Sequence, residues 1–89
     1  MKGKTVIVTG ASSGIGKACA EEFASQGCQV MLSARQEDKL IEIVNQLTQK
    51  GFKASYCVAD VVNEEDCRKL IDETIKLYGR LDEIGRAHV

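Results

Sequence analysis

The stretch Lys4 to Lys17, KTVIVTGASSGIGK, constrains the fold more than any other part of the chain. A short apolar run, Val6-Ile7-Val8, leads directly into three closely spaced glycines, Gly10, Gly14 and Gly16, and an amphipathic helical pattern follows at once. Strand, glycine turn and helix in that order suit an anion. Glycine lets the backbone come close because it has no Cβ. The helix then directs its free N–H groups and the positive end of its dipole at the same place.

The spacing discriminates among phosphate loops. A G-x-x-x-x-G-K-[ST] loop would need glycine at Ala11 and a hydroxyl residue at Ala18, so a nucleoside-triphosphatase loop is excluded. The common dinucleotide fingerprint runs G-x-G-x-x-G. Here the order is G-x-x-x-G-x-G.

Eighty-nine residues hold one domain at most. The net charge is −1, with acids and bases interspersed, so there is no basic footprint for nucleic acid. No apolar run approaches the ~20 residues of a membrane span. Met1-Lys2-Gly3-Lys4 enters the first strand without a leader, and a cytoplasmic protein is expected. Cys19, Cys28, Cys57 and Cys67 form no C-x-x-C pair and no metal-like group with His88. They read as reduced, mostly buried thiols, with Cys19 and Cys67 on buried helix faces.

Beyond the glycines, strand and helix patterns alternate. The first strand is expected over about 4–9, continuous in apolar character as in a strand covered on both faces. A helix over 14–26 carries Ile15, Ala18, Cys19 and Phe23 on one face and ends at Gly27. A second strand, 29–34, precedes a helix over 37–50 with Leu40, Ile43, Val44 and Leu47 on its apolar face. A third strand, 53–59, precedes a helix capped by Asn63, with acids in its first turn and Cys67, Leu70, Ile71 and Ile75 as its stripe. The pattern β-α-β-α-β-α implies an α/β fold: a partial Rossmann arrangement with a parallel sheet in strand order 3-2-1. Arg80-Leu81-Asp82 reads as the run-in to a fourth strand.

Thr9-Gly10-Ala11-Ser12-Ser13-Gly14-Ile15-Gly16 resembles the T-G-x-x-x-G-x-G signature of the short-chain dehydrogenases/reductases. The resemblance covers residues 1–82 and implies an oxidoreductase that moves hydride between a nicotinamide and a carbonyl/alcohol pair. It also implies a dinucleotide site at Thr9, Gly10, Ser12, Ser13, Gly14, Ile15 and Gly16, with Ile15 offering a backbone N–H to the pyrophosphate. Thr9 would brace a later Asn-Asn-Ala-Gly segment. The Asp60-Val61 pair resembles the family's adenine contact, carboxylate to amino group and backbone N–H to ring nitrogen.

The end of the second strand reads Leu32-Ser33-Ala34-Arg35-Gln36, with no acid for a ribose 2′-OH. Arg35 would grip a 2′-phosphate bidentately, so NADP(H) is expected over NAD(H), with Ser33 and Gln36 as helpers. Tyr56 is followed four residues on by Asp60, and Tyr78 by Asp82, so neither starts the family's Tyr-x-x-x-Lys pair. No catalytic residue and no metal site is expected in these 89 residues, and the substrate is not legible. The full-length protein would pair with copies of itself, as family members do. A different reading is a non-catalytic dinucleotide-binding or sensor module.

Residues 83–89, Glu-Ile-Gly-Arg-Ala-His-Val, depart from the family pattern. They can be encoded by GAG ATC GGA AGA GCA CAC GTC, which contains the start of a widely used sequencing adapter. Residues 1–82 are therefore read as the N-terminal half of a dinucleotide-binding domain and 83–89 as a non-native tail. Without a native fourth strand, Val6-Ile7-Val8 would line an open sheet edge, giving marginal folding and weak NADPH binding.

Overall fold

The computed structural model describes residues 3–12 and 14–86. Its elements are β1 (Thr5–Thr9), α1 (Gly14–Ser25), β2 (Gln29–Ala34), α2 (Glu37–Gln49), β3 (Ala54–Val58), α3 (Glu64–Tyr78) and β4 (Glu83–Arg86). All the strand pairs are parallel, and the sheet order is β3-β2-β1-β4. The alternation and the order 3-2-1 expected from sequence are present, extended by one strand.

That extension overturns the open edge. Glu83–Arg86 pairs with Val6–Thr9, and Val6, Ile7 and Val8 are completely buried. Parallel pairing uses main-chain groups that any residue except proline supplies. Glu-Ile-Gly-Arg can therefore complete a ladder although its side chains are poorly suited to a buried strand.

The two faces of the sheet are covered unequally. Val6, Val8, Val30 and Leu32 meet Ala20 and Ala24 of α1 and Leu40, Ile43 and Leu47 of α2. On the opposite face, Ile7 and Met31 meet Leu70 of α3 and Ala59, with Ile71, Tyr78 and Leu81 packed around them. Each fully buried aliphatic side chain contributes about 2 kcal/mol by leaving water, so the α1–α2 face holds most of the core. The switch of faces occurs on the crossover from β3 to β4.

Helix ends follow local chemistry. Asn63 Oδ1 accepts from the N–H groups of Glu65 (2.9 Å) and Asp66 (3.2 Å), capping α3 as expected. Gly79 closes it in the left-handed region at φ 78°. After α1, Gly27 adopts φ 89°, and the Cys28 N–H reaches the Phe23 carbonyl at 3.2 Å.

Two helical faces differ from the pattern read in sequence. The buried stripe of α1 is Gly16, Ala20 and Ala24, whereas Ile15 and Ala18 are exposed and Cys19 and Phe23 half-buried. Small residues face the strand because the helix lies too close for larger ones. On α3, Thr74 is buried and Ile75 is 46% exposed. Thr74 tolerates burial because its hydroxyl donates to the Leu70 carbonyl at 2.7 Å. None of the four cysteines forms a disulfide, and only Cys28 is buried; the others are half-buried.

Asp82 joins β4 to β1. Its N–H donates to the Thr5 carbonyl (2.9 Å), and its Oδ2 accepts from the Thr5 N–H (2.8 Å). Arg80 clasps the same carboxylate through two bonds of 2.8 Å. The Arg80 fork, and after it the Thr5 amide, hold the Asp82 carboxyl below its ordinary value of 3.8. Folding therefore favours the ionised form. Its contribution is complete above the ordinary value and is lost as pH falls through the lower folded value. Acid titration of stability should show a component in this window that Asp82→Asn removes, and superimposed acid profiles for the two proteins would refute it.

Candidate dinucleotide site

Three connecting loops meet at the carboxyl ends of the strands. Thr9 lies beside Ser33 in the β1–β2 register, and Ser33 beside Cys57 in the β2–β3 register. The Ala11 N–H donates to the Ser33 carbonyl at 3.1 Å, drawing the glycine turn over the end of β2. The Ala59 N–H donates to the Ala34 carbonyl at 3.1 Å, bringing the loop that carries Asp60 alongside. Thr9–Ser12, Arg35 and Asp60–Val61 thus share one end of the sheet, next to the point where the chain changes faces. Open α/β sheets bind ligands at that position.

The three glycines have different tasks. Gly10 turns the chain with φ 68°, which strains a side-chain-bearing residue. Gly16 packs the helix onto the turn: an added Cβ would lie 2.5 Å from Ala11 Cα and 2.6 Å from the Gly10 carbonyl oxygen. Gly14 has nothing within 4 Å of where a Cβ would be. Neither close packing nor a left-handed φ accounts for Gly14, and its open side borders the helix N-terminus. Ser12, Gly14 and Lys17 line a cleft of about 160 Å³ there, bounded across from them by Lys39, Glu42, Ile43 and Gln46 of α2. Ile15 is 46% exposed at the first turn of α1. Thr9 is buried with its partners supplied inside the chain. Ser13 lies outside the described residues.

Arg35 is exposed immediately after β2, and Gln36 follows as the N-cap residue of α2 with no side-chain capping bond. Ser33 does not join them. It is completely buried on the α3 side of the sheet, and its Oγ has no hydrogen-bond partner among the described residues. Its expected help at a 2′-phosphate fails because its side chain is fully enclosed, whereas Arg35 is exposed. The nearest acid of α2, Glu37, is approached at 3.5 Å by the Tyr56 hydroxyl.

Asp60 is half-buried between β3 and α3. Its Oδ1 accepts the Val62 N–H at 3.1 Å, and its own N–H donates to Asp66 Oδ2 at 2.9 Å. The role of Asp66 in this loop was not read from sequence, where it counted only as one of three acids at a helix start. The available signal was its position in the first turn, from which a carboxylate reaches back toward the preceding loop. Tyr78 is structural: its hydroxyl donates to Ser55 Oγ at 3.0 Å, and burial pushes the phenol above its ordinary value. Burial likewise raises the Cys57 thiol. Among the described residues no group of acids, histidines and cysteines could hold a metal ion, and no helix is long and apolar enough to cross a membrane.

Comparison with known proteins shows the family. The profile of the short chain dehydrogenase family matches residues 4–85, and the chain belongs to that family. It is 47% identical over 85 residues to an 11-beta-hydroxysteroid dehydrogenase of Pinus massoniana, an overlap covering 94% of this chain and 24% of that protein. A crystal structure of hydroxysteroid dehydrogenase from Escherichia coli superposes with a TM-score of 0.92 at 34% identity, over 96% of this chain and 36% of that one. A metagenomic short-chain oxidoreductase in complex with NADP gives a TM-score of 0.87 at 30% identity, over 94% of this chain and 38% of that one. The chain spans about a quarter of the length of the curated relatives it matches.

The contrast between Gly14 and Gly16 yields paired expectations. Gly16→Ala should cost about 3 kcal/mol because backbone must move. Gly14→Ala should change stability by less than ~0.5 kcal/mol while weakening adenine-nucleotide binding. Chemical denaturation combined with nucleotide titration checks both; equal destabilisation by the two substitutions would refute the division of roles.

Proposed function

We propose that this chain is the cofactor-binding portion of an NADP(H)-dependent short-chain oxidoreductase, holding the adenosine and pyrophosphate half of the site. One observation carries the reading: the open glycine turn, the exposed guanidinium and the Asp60-Val61 loop converge at the ends of three adjacent strands. Those residues fit the group. Gly14 leaves space for a phosphate, and Ser12 and Lys17 border that space. The Val61 N–H has no acceptor among the described residues, so a ring nitrogen can take it.

Arg35 supports NADP(H) over NAD(H). It is the first residue beyond β2, and no acid stands between Gln29 and Gln36 to repel a 2′-phosphate. The relative solved with NADP supports the same preference. A bound nicotinamide would supply or accept the hydride for a carbonyl/alcohol substrate. This chain's own residues bind and orient the cofactor. Neither tyrosine begins a Tyr-x-x-x-Lys pair, which favours an inactive binding module for these 89 residues taken by themselves. The full-length enzyme is proposed to be cytoplasmic and to form homo-oligomers.

Residues 83–89 are proposed to be a non-native, adapter-encoded tail following the native 1–82. That an adapter-like string can encode it supports this, as does the character of β4, where Glu83 and Ile84 are exposed although β1 beside them is buried throughout. Sequencing the source locus across the Asp82 codon should show the frame continuing into an apolar strand. A genomic read with the same seven codons would refute it.

Arg35→Glu should lower affinity for adenosine 2′,5′-bisphosphate at least about tenfold, since a charge-assisted pair is lost and a repulsion gained. Affinity for 5′-AMP should hardly change. Calorimetric titration with both nucleotides checks this, and equal losses for the two would remove the basis for NADP(H).

A further inference from the structure

The loop after β3 is tied down more heavily than helix capping requires. Asn63 alone serves two of the N–H groups at the start of α3. Two further bonds run from the first turn of α3 back into the loop. Asp66 Oδ2 accepts the Asp60 N–H at 2.9 Å, and Cys67 Sγ donates to the Val61 carbonyl at 3.0 Å. The Asn63 N–H donates to the Asp60 carbonyl at 2.9 Å.

These bonds act on three consecutive peptide groups. Asp66 holds the peptide before Asp60, and Cys67 holds the one after Val61. Asn63 holds the carbonyl of the peptide between them. In a trans peptide the N–H points opposite to the C=O. With the Asp60 carbonyl turned toward Asn63, the Val61 N–H is turned outward, where no acceptor among the described residues meets it. The loop gains little fixation from apolar burial, since Val62 is 91% exposed. Its geometry depends on polar ties to α3.

We propose that Asp66 and Cys67 are positioning residues for base recognition: they orient the Asp60 carboxylate and the Val61 N–H so that the site selects adenine. The inference rests on the reading of Asp60-Val61 given under Proposed function. Adenine presents an amino donor and an acceptor nitrogen to this pair. Hypoxanthine presents a carbonyl acceptor and an N–H donor, reversing both. Selection between the two bases therefore reports the loop's orientation, whereas general loss of structure weakens both nucleotides alike.

The test is titration of the 89-residue chain with AMP and with IMP, following amide chemical shifts, for the parent and three variants. The parent should prefer AMP. Asp66→Ala should reduce that preference about threefold or more, the size expected for one lost hydrogen bond. Asp66→Asn keeps an acceptor oxygen at the same place and should retain the preference. Cys67→Ala should reduce it in the same direction as Asp66→Ala. An unchanged AMP/IMP ratio in Asp66→Ala overturns the proposal, even if both affinities fall. Should Asp66→Ala fail to fold, the ratio in Cys67→Ala decides alone. A parent chain with no preference for AMP removes the adenine reading and the positioning role together, while the Arg35 titrations remain a separate test of the phosphate end.

Discussion

The contact on which this structure depends is the approach of α1 to the turn after β1. At Gly16 the helix backbone comes so near Ala11 and Gly10 that a single added carbon has no room. That closeness selects Ala20 and Ala24 for the rest of the interface and leaves Ile15 outside. It also fixes the direction of the helix start. An α-helix presents unsatisfied N–H groups at its first turn, and here they open beside Gly14 at the ends of the strands. Packing and the direction of the helix start thus share one geometric cause. The helix that seals the core on one side also turns its first-turn N–H groups toward the carboxyl ends of the strands.

The remainder of the site is built by strand adjacency. Because β1, β2 and β3 are parallel neighbours, their trailing loops emerge at the same end of the sheet. Each loop is joined to the next by a main-chain bond, Ala11 to Ser33 and Ala59 to Ala34. The three loops differ in side-chain chemistry while standing on a common base. The open glycine turn, the guanidinium and the carboxylate are supplied by separate loops, and none of them belongs to the buried core.

Much of this was legible in the sequence, for identifiable reasons. Gly10, Gly14 and Gly16 sit between an apolar run and a helical period, and the handover from one to the other marks the strand–turn–helix unit. Leu40, Ile43 and Leu47 recur at helical spacing and are buried as that spacing implies. Asn63 and Gly79 begin and end α3 through backbone rules that act locally. What stayed hidden depends on distance in three dimensions. The small-residue face of α1 runs against the expectation that the bulkiest apolar residues lie innermost, because helix-to-strand spacing is not a local property. Thr74 looked polar and proved buried, since its hydroxyl bonds its own helix. Ser33 looked available and proved enclosed. The pairing of residues 83–86 was not legible because backbone, not side chains, makes that ladder. Asp66 and Cys67 were read by their place in a helix rather than by what they reach.

The uneven covering of the sheet sets an order in which the molecule can come apart. The α1–α2 side is a broad apolar layer, whereas α3 rests on a narrow contact through Leu70, Ile71 and Tyr78. Local opening events draw on the least packed units first. The loop at Asp60 hangs from α3, so it shares the fate of that helix, while the glycine turn shares the fate of the larger core. A nucleotide bridging both ends would act as a clasp between a durable half and a labile one, and its grip would slacken first at the base.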